Sequence, residues 1–141
     1  MNDKPFFDTN VILYAFRKDD RRGEVAETLL AAGGAVSVQV LNEFVAVARR
    51  KLHRSWAEVR GALHILLVFC PEPVPLTAGI HERAVHIAER YGYSIFDSLI
   101  VAAALHAGAR TLYSEDMQDG QSIGGLTIRN PFSRETVSRK P

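Results

Sequence analysis

Short apolar runs alternate with helical segments along most of the chain, and this alternation limits its fold more than any other feature. Four runs, at residues 5–8, 35–38, 109–113 and 126–129, have the length and apolar character of buried strands. Segments of helical periodicity separate them. Because strands that alternate with helices form βαβ units, the pattern predicts an α/β domain whose parallel sheet is covered on both faces.

Capping residues and glycines indicate where the helices begin and end. Apolar residues recur at helical spacing over about residues 11–17, 23–32, 39–52, 56–69, 78–91 and 95–107. Thr9 and Asn10 are predicted to cap the first of these helices. Ser55, with Glu58 three residues later, matches a capping box at the start of the fourth. Prolines follow that helix, and Val74 among them is predicted to lie in a short edge strand.

Length and composition indicate one globular domain. The chain has 141 residues, 47% of them hydrophobic, and a chain of this size buries about 68–70% of its unfolded surface. Residues 1–132 are predicted to form the domain and residues 133–141 a polar tail. Cys70 is the single cysteine, which excludes an intrachain disulfide. No apolar run approaches the ~20 residues of a membrane span, so we expect a cytoplasmic protein.

Four acidic residues stand where a carboxylate is locally unexpected, beside an apolar run or at its end. They are Asp8, Glu43, Asp97 and Asp116. Asp8 ends the first predicted strand, and Asp116 lies three residues past the strand at 109–113. Ligands of open parallel sheets bind outside the carboxyl ends of the strands, so the topology predicts that these two acids share one functional edge.

Glu43 and Asp97 lie on predicted helices and need separate arguments. On a helical wheel, Glu43 lies at the margin of the apolar stripe, and no cation stands three or four residues away to form an ion pair. Asp97 lies in the first turn of the most apolar helix, three residues after Ser94. That spacing also fits a capping box, and the two roles of Asp97 are compatible.

Each acid taken singly has an ordinary structural explanation. Asp8 could cap a turn or helix, and Asp116 belongs to an acidic loop of the kind found in solvated turns. Two unneutralised carboxylates ~4 Å apart repel by about 4 kcal/mol at an effective dielectric near 20, so a cluster of four requires cations. Mg²⁺ or Mn²⁺, which favour oxygen ligands, are the expected ions, and hydrolysis of a phosphodiester is the expected chemistry.

The segments around these acids resemble the motifs of PIN-domain ribonucleases. Phe-Phe-Asp-Thr-Asn at residues 6–10 is similar to the opening motif of that family. The segments around Glu43, Asp97 and Asp116 resemble the second, third and fourth motifs. Order and spacing agree over about residues 4–132, and the most similar subgroup is the VapC-type toxins of toxin–antitoxin pairs.

This resemblance implies a three-layer α/β/α fold with a central parallel sheet of about five strands. It implies an endoribonuclease in which Asp8, Glu43, Asp97 and Asp116 are the catalytic acids and bind one or two Mg²⁺ or Mn²⁺ ions. It also implies a homodimer and a cognate antitoxin protein as partners, besides the RNA substrate. The implied supporting residues are Thr9, Asn10, Ser98 and Ser114, with Asp119 as an extra metal or water ligand.

The charge balance places any RNA binding in a local patch. Seventeen Lys and Arg residues face sixteen Asp and Glu residues, which leaves a net charge of +1 and no global field to attract a polyanion. Arg49, Arg50, Lys51 and Arg54 cluster near the end of the third helix and are the candidates for contacts with the RNA backbone. A solvated helix end, where cations are favoured by the helix dipole, explains the same cluster equally well.

Two other functions compete with RNA cleavage. A phosphate-handling receiver domain requires an early acidic pair and a late lysine, whereas Asp8 is followed by Thr9 and no lysine lies between Lys51 and Lys140. A dehalogenase-like phosphatase requires a second aspartate where Asn10 stands. A non-catalytic PIN-like RNA-binding module is the remaining alternative, and the presence of all four acids argues against it.

Overall fold

Helices cover both faces of a small central sheet in the computed structural model, which describes residues 4–17 and 20–133. This arrangement confirms the predicted three-layer α/β/α fold. The strands are β1 (Phe6–Phe7), β2 (Thr111–Tyr113), β3 (Ser122–Ile123) and β4 (Leu126–Arg129). The helices are α1 (Thr9–Arg17), α2 (Arg21–Ala31), α3 (Val38–Arg50), α4 (Trp56–Phe69), α5 (Ala78–Tyr91) and α6 (Ile95–His106).

The sheet has four strands in the order β1-β2-β4-β3. β1 pairs with β2 and β2 with β4 in parallel, whereas β3 pairs with β4 in the antiparallel sense. The prediction of a wholly parallel sheet is therefore wrong at this edge. Gly124 and Gly125 form a two-residue turn between β3 and β4, the connection that joins neighbouring antiparallel strands.

The strand predicted at residues 35–38 is reduced to single bridges, so the sheet has fewer strands than the five expected. Ala35 bridges to Phe6 of β1, and Ser37 bridges to Val74, both in parallel. The segment cannot continue as a strand because Ser37 is the N-cap of α3, its side chain accepting a hydrogen bond from the amide of Val40. The short edge strand predicted at Val74 is likewise reduced to its one bridge with Ser37.

Most helix ends follow the predicted signals, but the start of α1 does not. Ser55 and Glu58 form the complete capping box of α4, and Gly92 ends α5 in the left-handed conformation with φ 79°. α1 already begins at Thr9, so the capping role predicted for Thr9 and Asn10 is wrong. Both residues lie in the first turn of α1, and their side chains are free for contacts across the domain.

The core lies where β1 and β2 meet α6. Both residues of β1 are fully buried, as are most residues of α6 from Ser98 to Ala104. α6 therefore runs through the interior, and only its first turn reaches the edge of the sheet. No helix within residues 4–17 and 20–133 is long and apolar enough to cross a membrane. The tail predicted at 133–141 lies outside the described residues apart from Ser133, and the domain boundary stays a prediction.

Candidate active site at the carboxyl edge of the sheet

Asp8 follows β1 directly and is the most enclosed of the four acids, with 2% of its surface exposed. Its backbone amide donates to the carbonyl of Tyr113, which continues the parallel pairing of β1 with β2. That register brings Ser114 alongside, and the Ser114 hydroxyl donates to Oδ2 of Asp8 at 2.7 Å. The amide of Thr9 donates to Oδ1, also at 2.7 Å. Both carboxylate oxygens are thus held by groups that the strand ends supply.

Burial raises the pKa of Asp8 from its ordinary 3.8 to about 7. The hydrogen bonds from Ser114 and Thr9 lower this pKa in part, while the charges of Asp97 and Asp116 raise it further. Asp8 is enclosed and close to other carboxylates, and no cation is among the groups that shift its pKa. Its ionised form is therefore disfavoured. Its surroundings therefore favour either a proton or a bound cation.

Glu43 faces the site from α3 and is fixed at both oxygens. The Thr9 hydroxyl donates to Oε1 at 2.9 Å, and Nε2 of Gln39 donates to Oε2 at 2.8 Å. The absence of a helical cation is as predicted, but the inference that Glu43 lacks any partner on its helix is wrong, because the amide of Gln39 serves in that place. The four-residue spacing of Gln39 and Glu43 was the available signal for this contact.

Asp116 lies in the loop after β2 and contacts the first turn of α1. Nδ2 of Asn10 donates to its Oδ2. Burial, and then the charge of Glu115, raises the pKa of Asp116. Ser114 shapes the same loop, since its hydroxyl accepts a hydrogen bond from the amide of Met117 at 3.2 Å. Asn10 and Ser114 therefore link the first and fourth acidic segments, which are more than a hundred residues apart in sequence.

Asp97 occupies the first turn of α6 and is half-buried. Its backbone amide donates to the Ser94 hydroxyl at 3.1 Å. Of the two roles predicted for Asp97, this contact confirms the part in the helix cap, through the backbone amide. Burial raises the pKa of the Asp97 side chain, and the charges of Glu43 and Asp116 raise it further. Asp97 therefore lies within the electrostatic influence of two of the other acids.

The donor chemistry of the four acids fits a hard divalent cation, although the side chains are not arranged as ligands. All candidate donors are oxygens, which Mg²⁺ and Mn²⁺ prefer. Ser98 is fully buried, and its hydroxyl is the single buried side-chain polar atom in the described ranges without a hydrogen-bond partner. An unpaired buried hydroxyl costs about 1–3 kcal/mol, which a bound water or ion shell can relieve.

The acids of this edge form hydrogen bonds within the protein and are not grouped as metal ligands. No three His, Cys, Asp or Glu side chains among residues 4–17 and 20–133 are grouped so that they could hold a metal ion. Thr9, Gln39, Asn10 and Ser114 donate hydrogen bonds to oxygens of the acids. Each of these oxygens keeps a second lone pair that an ion could use, and the metal site stays a prediction.

The structure gives the remaining candidates different surroundings. Oδ1 of Asp119 accepts from the amide of Asn130 at 2.9 Å, which gives this acid a structural contact; its role as a ligand stays a prediction.

The basic cluster near the end of α3 is partly engaged in contacts within the protein. Arg49 lies 4.5 Å above the Trp56 ring and donates to the Arg54 carbonyl. Arg54 in turn forms an ion pair with Glu58 at 3.6 Å. Part of the basic cluster is thus engaged within the protein.

A network beside Asp116 could not be predicted from the sequence. Glu115 accepts from the Tyr14 hydroxyl at 2.9 Å and from Nε of Arg22 at 2.8 Å. On the other side of the loop, the Tyr93 hydroxyl donates to Gln121 and accepts from the amide of Gln118. Contacts between residues so far apart leave no local pattern, and they fix the loop that carries Asp116.

The sheet and the acids define the domain as an α/β fold with an acidic edge. Asp8 follows β1, Asp116 lies in the loop after β2, and Glu43 and Asp97 lie on α3 and α6. A family model described as the PIN domain matches residues 6–118 of the sequence. The match spans most of the chain, and the chain belongs to the PIN domain family. The resemblance of the four motifs to this family is thereby confirmed.

Solved structures of similar fold include toxins of toxin–antitoxin systems. VapC20 of Mycobacterium tuberculosis, a Sarcin-Ricin loop cleaving toxin, is 24% identical with a TM-score of 0.64 over 79% of this chain and 89% of that one. A toxin–antitoxin complex from Klebsiella pneumoniae is 25% identical with a TM-score of 0.67 over 91% and 98%. VapBC2 of Rickettsia felis, bound to a DNA fragment from their promoter, is 23% identical with a TM-score of 0.63 over 89% and 97%. No curated protein matches the sequence.

Proposed function

We propose that this protein is a metal-dependent endoribonuclease and the toxin of a toxin–antitoxin pair. The observation that carries the proposal is the environment of Asp8, which is enclosed at the sheet edge, held at both oxygens and influenced by the charges of Asp97 and Asp116. Membership of the PIN family supports nuclease chemistry, and the similar solved structures support the toxin role.

In this proposal the four acids hold the ion, and their neighbours hold the acids. Bound Mg²⁺ or Mn²⁺ supplies a water of lowered pKa and positive charge against the phosphate. Ser114 and the Thr9 amide fix Asp8, while the Thr9 hydroxyl and Gln39 fix Glu43. Contacts that orient metal ligands in this way commonly change metal affinity or activity by about 10–100-fold.

Replacement of Asp8 tests the catalytic assignment. We expect Asp8→Asn to reduce cleavage of single-stranded RNA with Mn²⁺ to background, because the variant loses the central carboxylate and keeps its size. Glu82→Gln, an exposed change on α5, is the matched control and should cleave like the parent. Circular dichroism checks that the fold is retained. Equal cleavage by parent and Asp8→Asn would overturn the site assignment.

One observation favours a second candidate, a PIN-like module that binds RNA without cleaving it. Asp8, Glu43 and Asp116 accept hydrogen bonds from within the protein. The described residues contain no ready group of metal ligands. Calorimetric titration with Mn²⁺ separates the two functions. Saturable binding that Asp8→Asn removes supports the nuclease, whereas heat changes equal to buffer for the parent support the binding module.

The partners belong to the same proposal. We infer a homodimer acting in the cytoplasm and an antitoxin encoded beside the toxin. The similar structure from Klebsiella pneumoniae, a toxin–antitoxin complex, supports the antitoxin partner. Expression of the parent should arrest bacterial growth, and co-expression of the neighbouring short reading frame should restore it. Arrest that Asp8→Asn produces equally well would contradict cleavage as its cause.

A further inference from the structure

We propose that Arg17 and Lys51 form a binding site for a backbone phosphate of RNA, next to the phosphodiester that the acidic site would cleave. This inference rests on the proposed function and adds a substrate contact to it. It starts from a cleft of about 180 Å³ between α1 and α3 that opens at Asn10. Asn10 donates to Asp116, so this end of the cleft is the acidic site itself.

The far end of the cleft is cationic. Leu13, Val47 and Leu52 form apolar walls, and Arg17 and Lys51 stand beyond them. Among the described residues that line the cleft, none is acidic. Both cations are exposed to solvent. The Arg17 guanidinium also lies 5.8 Å from the centroid of the Tyr14 ring, which lines the same cleft. The cleft thus joins a site for a cation to a site for an anion.

Helix geometry places Arg17 and Lys51 at similar distances, along their own helices, from a residue of the candidate site. Arg17 follows Asn10 by seven residues on α1, which is about 10 Å along the helix axis. Lys51, the C-cap of α3, follows Glu43 by eight residues, which is about 12 Å. These offsets along the helices, of about two turns each, place both cations beyond the phosphate that the acids would hold. We assign them to the next phosphate along a single strand.

The structure also distinguishes Lys51 from its basic neighbours. Arg49 stacks on Trp56 and donates to the Arg54 carbonyl, and Arg54 pairs with Glu58. Arg50 is exposed at the same helix end but does not line the cleft. If the cluster is only a solvated helix end, Arg50 and Lys51 should contribute equally to RNA binding. If the cleft binds a phosphate, Lys51 should contribute and Arg50 should not.

Binding of RNA at several salt concentrations tests the proposal. The probe is a fluorescein-labelled single-stranded RNA of mixed sequence, followed by fluorescence anisotropy in EDTA, so that the result does not depend on metal. The variants are Lys51→Ala, Arg17→Ala and Arg50→Ala, with Arg83→Ala on α5 as the control for loss of one exposed positive charge. We expect Lys51→Ala and Arg17→Ala each to weaken binding several-fold and to reduce the slope of log K against log salt by about 0.7.

Steady-state cleavage with Mn²⁺ provides the second measurement. A phosphate contact remote from the bond that breaks should raise KM and change kcat little, because it acts equally on the ground state and the transition state. Thermal unfolding of each variant checks that the fold is retained.

The outcomes separate this inference from the proposed function. If the parent cleaves RNA but Arg50→Ala weakens binding as much as Lys51→Ala, a diffuse field at the helix end is responsible and the phosphate site is refuted. The site is also refuted if Lys51→Ala binds like Arg83→Ala. A parent that neither binds nor cleaves RNA refutes the proposed function first, and this inference with it. If Lys51→Ala weakens the binding of an acidic peptide but leaves RNA binding unchanged, the cleft binds a protein partner and the phosphate site is refuted.

Discussion

The buried charge of Asp8 should make the protein less stable than an uncharged variant, and this cost should depend on pH. In the folded state the pKa of Asp8 is about 7, against an ordinary value of 3.8. Because the folded state binds the proton more tightly, the stabilising contribution is complete below pH 4 and is lost as the pH rises to about 7. The full loss is about 4 kcal/mol at 1.36 kcal/mol per pKa unit.

Asp8→Asn isolates this effect. The amide oxygen can still accept from the Thr9 amide, and the amide nitrogen can donate to Ser114, whose hydroxyl both donates and accepts. Between pH 5 and pH 8 the parent should lose about 3 kcal/mol relative to Asp8→Asn, because most of the ionisation of the folded state occurs in this window.

Urea unfolding of both proteins in EDTA at pH 5 and pH 8 measures this difference directly. Titrating groups that do not interact with Asp8 change both proteins alike and cancel in the comparison. Asp97 and Asp116 interact with Asp8 and contribute to the measured difference as part of the same buried charge. Addition of Mn²⁺ at pH 8 should restore stability to the parent and leave Asp8→Asn unchanged, since a ligand that binds only the folded state stabilises it. A stability difference between the two proteins that is the same at both pH values would refute the buried charge as the cause.

Two further predictions concern packing and the support of Glu43. A Cβ atom at Gly34 would lie 2.5 Å from a ring carbon of Phe7, whereas one at Gly61 on α4 meets nothing within 4 Å. Gly34→Ala should therefore cost about 2 kcal/mol or more in urea unfolding, while Gly61→Ala should gain about 0.5–1 kcal/mol, and equal shifts would contradict the close contact. Thr9→Val removes the donor to Glu43 and should lower cleavage by about 10–100-fold, with Thr9→Ser restoring it; failure of the serine to rescue would exclude the hydroxyl contact as the reason.

The helices could be predicted from the sequence more fully than the strands. Ser55, Thr77, Ser94 and Gly92 carry their signals within one turn of the helix, so the ends of α4, α5 and α6 follow from local chemistry. β3 has only two residues, too few for any periodicity to register. Its one signal was the Gly-Gly pair directly before the apolar run at residues 126–129, since such a pair is typical of a tight hairpin.

The strand predicted at residues 35–38 shows a different limit. The segment is extended and buried in part, as its composition indicates, yet Ser37 already serves as the cap of α3. The preference of the segment for a strand overlaps with the preference of Ser37 for a helix cap. Because the cap ends the extended pairing, only isolated bridges form, at Ala35 and at Ser37. Thr9 was misjudged for the related reason that a side chain able to cap a helix was assumed to do so.

The acids of the candidate site were found because topology and motif order act over the whole chain. Their contacts were not found, because Asn10 and Asp116, or Tyr14 and Glu115, are about a hundred residues apart. Only Gln39 and Glu43 left a local signal in their spacing of four residues. Sequence patterns thus indicate which residues belong to the site, whereas hydrogen-bond partners depend on the packing of elements.

The loop that carries Asp116 is tied to its surroundings at several points, and this bears on how a substrate could enter. Glu115 is held by Tyr14 and Arg22, Gln118 by Tyr93, and Asp119 by the amide of Asn130. Surface loops with few such ties open readily and exchange their amide protons fast, but this loop should exchange slowly for its position. In the proposed function, RNA would therefore meet a site whose fourth side is already in place.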